Sequence, residues 1–343
     1  MPDGPTPFSV AVADLNHDGR ADLAITNAAS NQLSVLLAGS DGAFHAAPPV
    51  PVGLIARGIE VADLNRDGNA DLVVAVAETN QVVVVLGDGR GGGSAHAYAA
   101  GLAPFQVAIA DLNGDGNLDI AVADESNVAA LAGRGTVSMY FGDGHGGFTA
   151  APALRAGTNP ADVRAADFDD DGIEDLAVLN WGSHDVSLLR GRGGGQFAAA
   201  ESIPYGSVPA YVLAPEDVDD DGRVDLVIGD AQGVVHPLIN DGHGGFAAAP
   251  TLQADAGLRW LVIADLDGDG RLDIATANTG GNSVTLFRAA GGGTWTAPQR
   301  IAVGSHPRTV RAAALDAGGR LDLIVTNGSS NDLSILRQTG AAQ

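Results

Sequence analysis

Six acidic loops are the part of this chain whose residue types and spacing could do chemistry. Each loop follows the pattern D-x-[DN]-x-D-G-x-x-D, as in DLDGDGRLD at Asp265–Asp273. Carboxylate or amide oxygens stand at positions 1, 3, 5 and 9, and the glycine at position 6 permits the tight bend that brings them together. Calcium takes about six to eight hard oxygen ligands, whereas magnesium demands a stricter octahedron. The pattern therefore predicts a calcium site in each loop.

We expect four side chains and the main-chain carbonyl of position 7 to form each of up to six sites. The expected ligand residues are Asp14, Asn16, Asp18, Arg20, Asp22, Asp63, Asn65, Asp67, Asn69, Asp71, Asp111, Asn113, Asp115, Asn117, Asp119, Asp167, Asp169, Asp171, Ile173, Asp175, Asp217, Asp219, Asp221, Arg223, Asp225, Asp265, Asp267, Asp269, Arg271 and Asp273. Half of the chain's 42 acidic residues lie at these positions. Such clustering of like charge is costly without a counter-ion, and six calcium ions would halve the net charge of −24.

Two other interpretations of the loops explain them less well. A plain Asp/Gly turn accounts for one match but not for six in register. An EF-hand loop ends in a glutamate at position 12 and is flanked by helices, whereas position 12 here is aliphatic or threonine, as at Ile25 and Thr276. A seventh copy of the frame, Ala314–Asp322, has Ala314 and Gly318 at positions 1 and 5. We expect this seventh loop to be empty.

The elements that must position these loops are short strands. The loops recur every 48–56 residues, which indicates a repeat architecture. In each repeat one apolar run leads into the loop and a second follows it at once, as in DLAITN. A third run follows an Asn/Gly/Ser-rich break and a weaker fourth follows a Gly-rich hairpin. No long 3.6-residue periodicity competes with these runs. Four antiparallel strands in about 49 residues, repeated seven times, predict an all-β, seven-bladed β-propeller.

The predicted propeller is a single domain over residues 1–343. Its blades are expected at approximately 1–53, 54–101, 102–157, 158–206, 207–255, 256–304 and 305–343. The last blade is incomplete, because the C-terminal segment stops after a third strand and Met1–Gly4 supplies at most a stub of a fourth. Open sheet edges invite pairing with other chains, so we favour trimming after an upstream leader over weak closure. Pro237 interrupts the third run of repeat five, where it cannot donate to the ladder.

The chain resembles the FG-GAP/VCBS repeat family, which includes the integrin α-chain head and many bacterial surface propellers. The resemblance rests on the recurring acidic loop and on the approach to it seen in GTNPADV and GSHPRTV. Phe-Gly signatures are only partly present, as at Phe141-Gly142, so the match is closer to the bacterial VCBS-type branch. The resemblance implies a calcium-binding, seven-bladed propeller whose ligand loops connect the first and second strands of each blade.

Composition excludes several classes of function. The net charge of −24 opposes the binding of nucleic acid, whose phosphates attract positive charge. The absence of cysteine excludes disulfides and thiolate metal sites. No apolar run approaches the roughly 18 residues of a membrane span, so we expect no membrane insertion. A hydrophobic content of 45% argues against a disordered acidic chain. No signal peptide precedes MPDGPTPF, although calcium loops suit an extracellular or cell-surface location.

A candidate ligand surface lies on the face opposite the calcium loops. Strand direction places the blade-to-blade connections and the loops between second and third strands on that face. Its candidate contacts are Phe8, Arg57, Phe105, Trp181, Tyr211, Arg259, Trp260, His306 and Arg308. Aromatic residues and arginine dominate binding energies at interfaces; the alternative is that these side chains plug the channel and pack on neighbouring blades. An insertion within 124–136 is expected in a loop on the same face.

Catalysis has little support in the sequence. His184, His306, Asp162 and Arg308 could form an acid–base set, but nothing in the sequence fixes their geometry, and no nucleophile elbow, phosphate loop or zinc spacing occurs. The sequence favours a calcium-stabilised extracellular binding or adhesion propeller that recognises a glycan or an extracellular protein. The alternatives are a polysaccharide lyase or hydrolase on the same fold, and a scaffold domain of a larger surface protein.

Overall fold

The chain folds into seven antiparallel β-sheets arranged in a ring. The computed structural model describes residues 6–125, 135–316 and 318–338, and every regular element it assigns there is a strand. Within each sheet the strands are hydrogen-bonded in sequence order. The predicted all-β class and the seven-bladed propeller are confirmed. Among the described residues, no helix is long and apolar enough to cross a membrane.

The first strand of each blade lines the central channel. Each of these strands has seven residues and contacts the first strands of the blades on both sides, including the pair that closes the ring. The first strands are β1 Pro7–Ala13, β6 Ala56–Ala62, β10 Pro104–Ala110, β14 Pro160–Ala166, β18 Ala210–Glu216, β23 Leu258–Ala264 and β27 Pro307–Ala313.

The second strands form the core of each blade. Each has six residues and all of them are buried, because the sheet is covered on both faces by its neighbours. Burial of each large aliphatic side chain contributes about 1.5–3 kcal/mol, which explains the nearly continuous apolar runs. The second strands are β2 Asp22–Asn27, β7 Asp71–Val76, β11 Asp119–Asp124, β15 Asp175–Asn180, β19 Asp225–Asp230, β24 Asp273–Asn278 and β28 Asp322–Asn327.

The outer half of each blade is less regular. The third strands are β3 Gln32–Ala38, β8 Gln81–Gly87, β12 Thr136–Gly142, β16 Asp185–Leu189, β20 Val234–Asn240, β25 Ser283–Phe287 and β29 Asp332–Leu336. The fourth strands are β4 Phe44–Ala46 with β5 Val50–Pro51, β9 Gly93–Ala99, β13 Phe148–Arg155, β17 Glu201–Pro204, β21 Phe246–Ala248 with β22 Leu252–Gln253, and β26 Gln299–Ala302. In blades one and five the fourth strand is split where prolines fall, since proline cannot donate to a ladder.

Pro237 lies inside β20 without breaking it. Its carbonyl accepts a hydrogen bond from the Ala249 N–H at 3.0 Å, which places the outer side of β20 next to the segment between β21 and β22. In an antiparallel ladder the N–H and C=O of one residue point to the same side. The missing N–H of Pro237 therefore faces the interruption in the fourth strand, where no ladder partner is required.

Blade seven is three-stranded over the described residues, with the order β27-β28-β29. The predicted stub Met1–Gly4 lies outside those residues. The seam to blade one is bonded like other blade junctions: the Thr309 and Thr326 hydroxyls each donate to the Phe8 carbonyl at 3.2 Å, as the Thr26 hydroxyl donates to the Arg57 carbonyl at 2.7 Å. The strands of every sheet fall within the seven blade ranges given above.

Candidate metal loops and the opposite face

Each of the six acidic loops connects the first and second strands of a blade. The chain takes a left-handed conformation at positions 4 and 6, with φ of 59° at His17 and 78° at Gly19 in the first loop. This bend points two backbone N–H groups at the position-1 carboxylate: those of Asp18 and Gly19 donate to Asp14 at 3.1 and 2.8 Å. Burial acts to raise the pKa of Asp14, but these N–H groups lower it below its ordinary value. The carboxylate is therefore held ionised and in place.

The position-9 aspartate begins each second strand and is fully buried. Both of its oxygens accept backbone N–H groups: Leu15 donates to Oδ2 of Asp22 at 3.0 Å and Ala38 donates to Oδ1 at 2.7 Å. This arrangement ties the loop to the end of the third strand. Burial raises the pKa of Asp119 and of Asp225 to about 6. A carboxylate has about four lone-pair sites, so two hydrogen bonds leave it able to ligate a cation as well.

The loops of blades four to six bring three carboxylates together. One oxygen from each member of a group lies within 4.8 Å of the others, which suits a single cation with ligands at about 2.3–2.6 Å. Burial, followed by the charges of neighbouring aspartates, raises the pKa of Asp219 and of Asp267. Arg223 and Arg288 offset only part of this repulsion, since both pKa values stay raised, and the remainder fits a site for a divalent cation. The three groups are Asp167, Asp169 and Asp175; Asp217, Asp219 and Asp225; and Asp265, Asp267 and Asp269.

The loops of blades one to three have an asparagine at position 3. Its amide donates to the position-5 carboxylate, as from Asn16 to Asp18 at 3.0 Å and from Asn113 to Asp115 at 3.1 Å. The side chains at positions 3 and 5 therefore still converge, with one negative charge fewer per loop. Because an amide oxygen is also a hard ligand, the donor set of these loops remains suitable for the same cation.

The seventh loop keeps the frame but loses two of the four side-chain ligand positions. Gly319 at position 6 has a φ of 69°, and Asp322 at position 9 accepts the N–H of Gln338 at 3.0 Å and the guanidinium of Arg337 at 2.7 Å. Positions 1 and 5 are Ala314 and Gly318. The bend at position 6 and the staple at position 9 thus form where the carboxylates of positions 1 and 5 are lost, which makes this loop an internal control for the other six.

The opposite face of the disc is built on β-bulges. In every first strand the ladder shifts register beside the residue six positions before the acidic loop; in β10, Pro104 pairs with Asp124 but Gln106 pairs with Ala123, so Phe105 has no partner. A bulge re-aims the side chain it carries. The seven residues at these bulges are Phe8, Arg57, Phe105, Ala161, Tyr211, Arg259 and Arg308.

Four of the bulge side chains form one arc across blades seven, one, three and two. The Arg308 guanidinium lies 5.1 Å from the Phe8 ring centroid, and the Phe8 and Phe105 rings meet edge to face at 5.7 Å. Arg57 lies 4.9 Å from the Phe105 centroid and pairs with Glu125 at 2.7 Å. Each cation–π contact contributes about 0.5–1 kcal/mol at an exposed site. All four side chains remain partly exposed.

A second arc occupies blades four, five and six. Arg259 lies on the Tyr211 ring, 3.8 Å from its centroid, and the Trp181 ring lies 6.3 Å from that of Tyr211. His306 is exposed in the adjacent blade connection, with a φ of 62°. We call the two arcs with His306 the aromatic–arginine face; it comprises Phe8, Arg57, Phe105, Trp181, Tyr211, Arg259, His306 and Arg308. The structure thus brings eight of the nine candidate contacts to one side.

Trp260 is the exception among the candidate contacts. It is 5% exposed, and its ring lies in the channel between the guanidinium groups of Arg164 and Arg311, at 5.4 and 5.3 Å. Glu60 binds both arginines, at 3.2 and 2.8 Å. Trp260 therefore plugs the channel, which was the alternative to a role in binding. We remove Trp260 from the candidate contacts, because a buried ring cannot meet a partner.

The proposed acid–base set is not assembled. Asp162 is fully buried, and its carboxylate is bound by the Leu213 N–H at 2.9 Å and by Arg164, whose Nε lies 3.1 Å away. An aspartate occupied in this way cannot exchange a proton with a ligand on the surface beside His306. The insertion within 124–136 falls largely on residues 126–134, outside the described residues; its flanks end β11 and begin β12, the second and third strands of blade three.

Sequence reasoning missed a polar ladder inside the blades. Asn180 ends β15 and donates to the Ser187 hydroxyl on β16 at 2.9 Å; Ser187 in turn accepts the Gly157 N–H at 3.0 Å. In blade three the equivalent residue is Asp124, which accepts from the Ser138 hydroxyl at 2.7 Å. The signal was present in the sequence, because most second runs end in Asn or Asp and most third runs carry a serine or threonine.

The sequence and the fold both match known proteins. A model of the FG-GAP-like repeat matches over residues 14–74, 63–122, 127–178, 167–228, 217–276 and 265–325. Five of these matches begin at the first aspartate of a metal loop and end in the second strand of the next blade. No curated protein matches the sequence.

Three solved structures share the fold. BBS1N, solved in complex with ARL6DN, has a TM-score of 0.70 and 12% identity, covering 99% of this chain and 95% of its own. Virginiamycin B lyase from Staphylococcus aureus has a TM-score of 0.63 and 12% identity, with coverages of 96% and 93%. An Agrocybe aegerita lectin that recognises non-reducing terminal N-acetylglucosamine has a TM-score of 0.58 and 20% identity, with coverages of 86% and 80%. At these identities the likeness shows the fold alone, whereas the repeat matches span most of the sequence, and on that basis the chain belongs to the FG-GAP-like repeat family.

Proposed function

We propose that this protein is a calcium-stabilised, non-catalytic binding propeller that works outside the cell and recognises a glycan or an extracellular protein through its aromatic–arginine face. The observation that carries the proposal is the separation of two kinds of side chain on the two faces. Repeated carboxylates occupy the loop face, and a partly exposed arc of aromatic rings and arginines occupies the other. Aromatic rings and arginines dominate the binding energy of interfaces.

Calcium in the six acidic loops would serve stability rather than recognition. Each loop joins the innermost strand to the second strand, so an ion held there clamps the hairpin on which the bulge residue stands. When the unfolded chain has no preformed site, the binding free energy of the ion adds to the free energy of unfolding. Millimolar calcium, typical outside cells, suits sites of modest affinity.

Binding is supported better than catalysis. The lyase with the same fold shows that such propellers can host an enzyme, and the BBS1N complex and the lectin show that they can bind a protein or a sugar. In this chain the candidate acid–base residues are not together, because Asp162 is buried and bound by Arg164 and the Leu213 N–H, whereas His306 is exposed. The aromatic–arginine face, by contrast, is assembled and accessible.

A glycan array and a panel of extracellular-matrix proteins test the proposal, each probed with calcium-saturated protein. We expect specific binding that Trp181→Ala and Phe105→Ala each weaken by about tenfold, since an aromatic anchor is worth on the order of 1–2 kcal/mol or more. Arg90→Ala, an exposed change in the hairpin between β8 and β9, is the matched control and should leave binding unaltered. Binding that none of the face variants affects, or turnover of a polysaccharide, would refute the proposal.

A further inference from the structure

One concave site on the aromatic–arginine face lies between blades five, six and seven. It is a cavity of about 440 Å³, lined by Tyr211, Arg259, Thr279, His306 and Arg308 among others. Pockets of about 300–1,000 Å³ accommodate small ligands, and this one is at the lower end, the size of one or two sugar rings. Its two cationic residues come from adjacent bulges, so the fold itself sets their spacing.

The two arginines of this cavity lack counter-ions. Over residues 6–125, 135–316 and 318–338, no ion pair involves Arg259 or Arg308. Their neighbour Arg57, by contrast, pairs with Glu125. The Nε atom of Arg308 is buried without a hydrogen-bond partner in the same part of the chain. Burial, and then the charges of Arg259 and Arg57, lower the pKa of Arg308. An uncompensated pair of like charges costs free energy that a bound anion would recover.

Aromatic rings hold the guanidinium groups in place. Arg259 lies over Tyr211 at 3.8 Å and Arg308 lies over Phe8 at 5.1 Å. Stacking uses the flat face of a guanidinium and leaves its edge free; because Nε of Arg308 is buried, the two terminal nitrogens of Arg308 are its donors for a ligand. The Arg308 side chain also passes close to Gly328, where an added Cβ would lie 2.6 Å from Nε. Both donors are thus positioned before a ligand arrives, and planar, bidentate contact with a carboxylate is the geometry they favour.

The charge of the whole chain limits what the anion can be. With a net charge of −24, the protein repels dense polyanions that come within the Debye length of roughly 8 Å, beyond which salt screens the charges. A ligand with a single carboxylate escapes most of that repulsion and still gains the contact with the two arginines. An isolated acidic side chain of a protein partner would leave most of the 440 Å³ unfilled, whereas a sugar ring fills it.

We propose that the cavity between Arg259 and Arg308 binds the carboxylate of an acidic sugar residue, such as a uronate at the end of a glycan. The two guanidinium groups hold the carboxylate, and Tyr211, Thr279 and His306 line the wall beside it. The Thr279 hydroxyl donates to the Pro307 carbonyl at 2.6 Å, so it can only accept a hydrogen bond from a sugar hydroxyl. This inference rests on the proposed function, because it names the ligand class of the same face.

Calorimetric titration of the full-length, calcium-saturated protein tests the inference with two disaccharides that differ only in their terminal residue, glucuronate or glucose. We expect the glucuronate form to bind at least about tenfold more tightly, and Arg259→Gln and Arg308→Gln each to remove about tenfold, the contribution of one charge-assisted contact. Arg300→Gln is the control, since Arg300 is an exposed arginine of blade six that pairs with Asp255 outside the cavity; it should change the affinity less than about twofold. Melting curves verify that the variants fold.

Each other outcome overturns the inference. Equal affinity for the two disaccharides would show that the terminal carboxylate is not recognised. A loss of affinity with Arg300→Gln as large as that with Arg259→Gln would show that the loss is not specific to the cavity. Competition by inorganic phosphate at the same concentration as glucuronate indicates a general oxyanion site, and binding of a triglutamate peptide without binding of the disaccharide assigns the cavity to protein ligands. If ligand binding depends on Trp181 and Phe105 but not on Arg259 and Arg308, the proposed function stands and this inference fails. If no change on the face alters binding, the proposed function itself fails.

Discussion

The two faces of the disc use the same blades for different purposes. On the loop face the aspartates at positions 1, 5 and 9 recur in six of the seven blades, and oxygens at positions 1 and 9 accept backbone N–H groups, as at Asp14 and Asp22. On the aromatic–arginine face the residue at the bulge varies among phenylalanine, arginine, tyrosine and alanine, and six of the seven take part in ring or cation–π contacts. The repetition on the loop face fits a structural role, and the variation on the other face fits the proposed role in recognition.

The largest expected effect comes from removing calcium. If the ions occupy six loops, excess EDTA should lower the melting temperature by more than about 10 °C, because each lost site removes up to about 3 kcal/mol at saturating calcium. Elemental analysis of protein dialysed against millimolar calcium should find about six calcium ions per chain in excess of the buffer. Metal-free protein with the same melting curve in EDTA would overturn the structural assignment of the loop face.

A single-loop comparison is the next test. Asp265→Ala removes the position-1 carboxylate of loop six and should destabilise the protein by about 2–3 kcal/mol in calcium, with one ion lost. Asp316→Ala removes the exposed position-3 carboxylate of loop seven and should change the free energy of unfolding by less than about 0.5 kcal/mol. Equal effects in urea unfolding would show that the acidic residues act only as turn formers, and that the two kinds of loop do not differ.

A smaller effect is expected at Asp124, at the aromatic–arginine end of blade three. Burial raises its pKa to about 6, above the unfolded value near 4. This group therefore stabilises the fold at low pH, and that contribution is lost as the pH rises through about 6. Asp124→Asn copies blade four, where Asn180 donates to Ser187. The free energy of unfolding of the variant should equal that of the parent at pH 4 and exceed it by about 1–2 kcal/mol at pH 8.

The same increment should persist in EDTA, because Asp124 lies at the end of β11 away from the loop. Urea unfolding at both pH values, with and without calcium, measures it. A variant less stable than the parent at pH 8 would show that the ionised carboxylate is required by Ser138 and Thr136, which both donate to it.

Much of the fold could be predicted from the sequence, because the period, the acidic loop and the strand-like runs repeat together. The acidic loops could be located for the same reason, although the role of Asp22 in tying the loop to the end of the third strand could not. The ion-pair network in the channel could not be predicted from the sequence, because Glu60 binds Arg164 and Arg311, which are 104 and 251 residues away in the chain. Trp260 was misplaced because a bulge interrupts the alternation of sides along β23.

The bulges of the first strands have a consequence for how such a propeller diversifies. A residue at a bulge, such as Phe105 or Arg259, makes no ladder pair in the described register, so replacing it does not shift the strands around it. Six of the seven bulges thus offer variable, partly exposed positions, one per blade. The seventh residue, Ala161, is only 3% exposed, so a larger side chain there would crowd the core. Libraries randomised at the six partly exposed bulges, with the acidic loops untouched, offer a direct way to install new specificities in a ring-shaped framework.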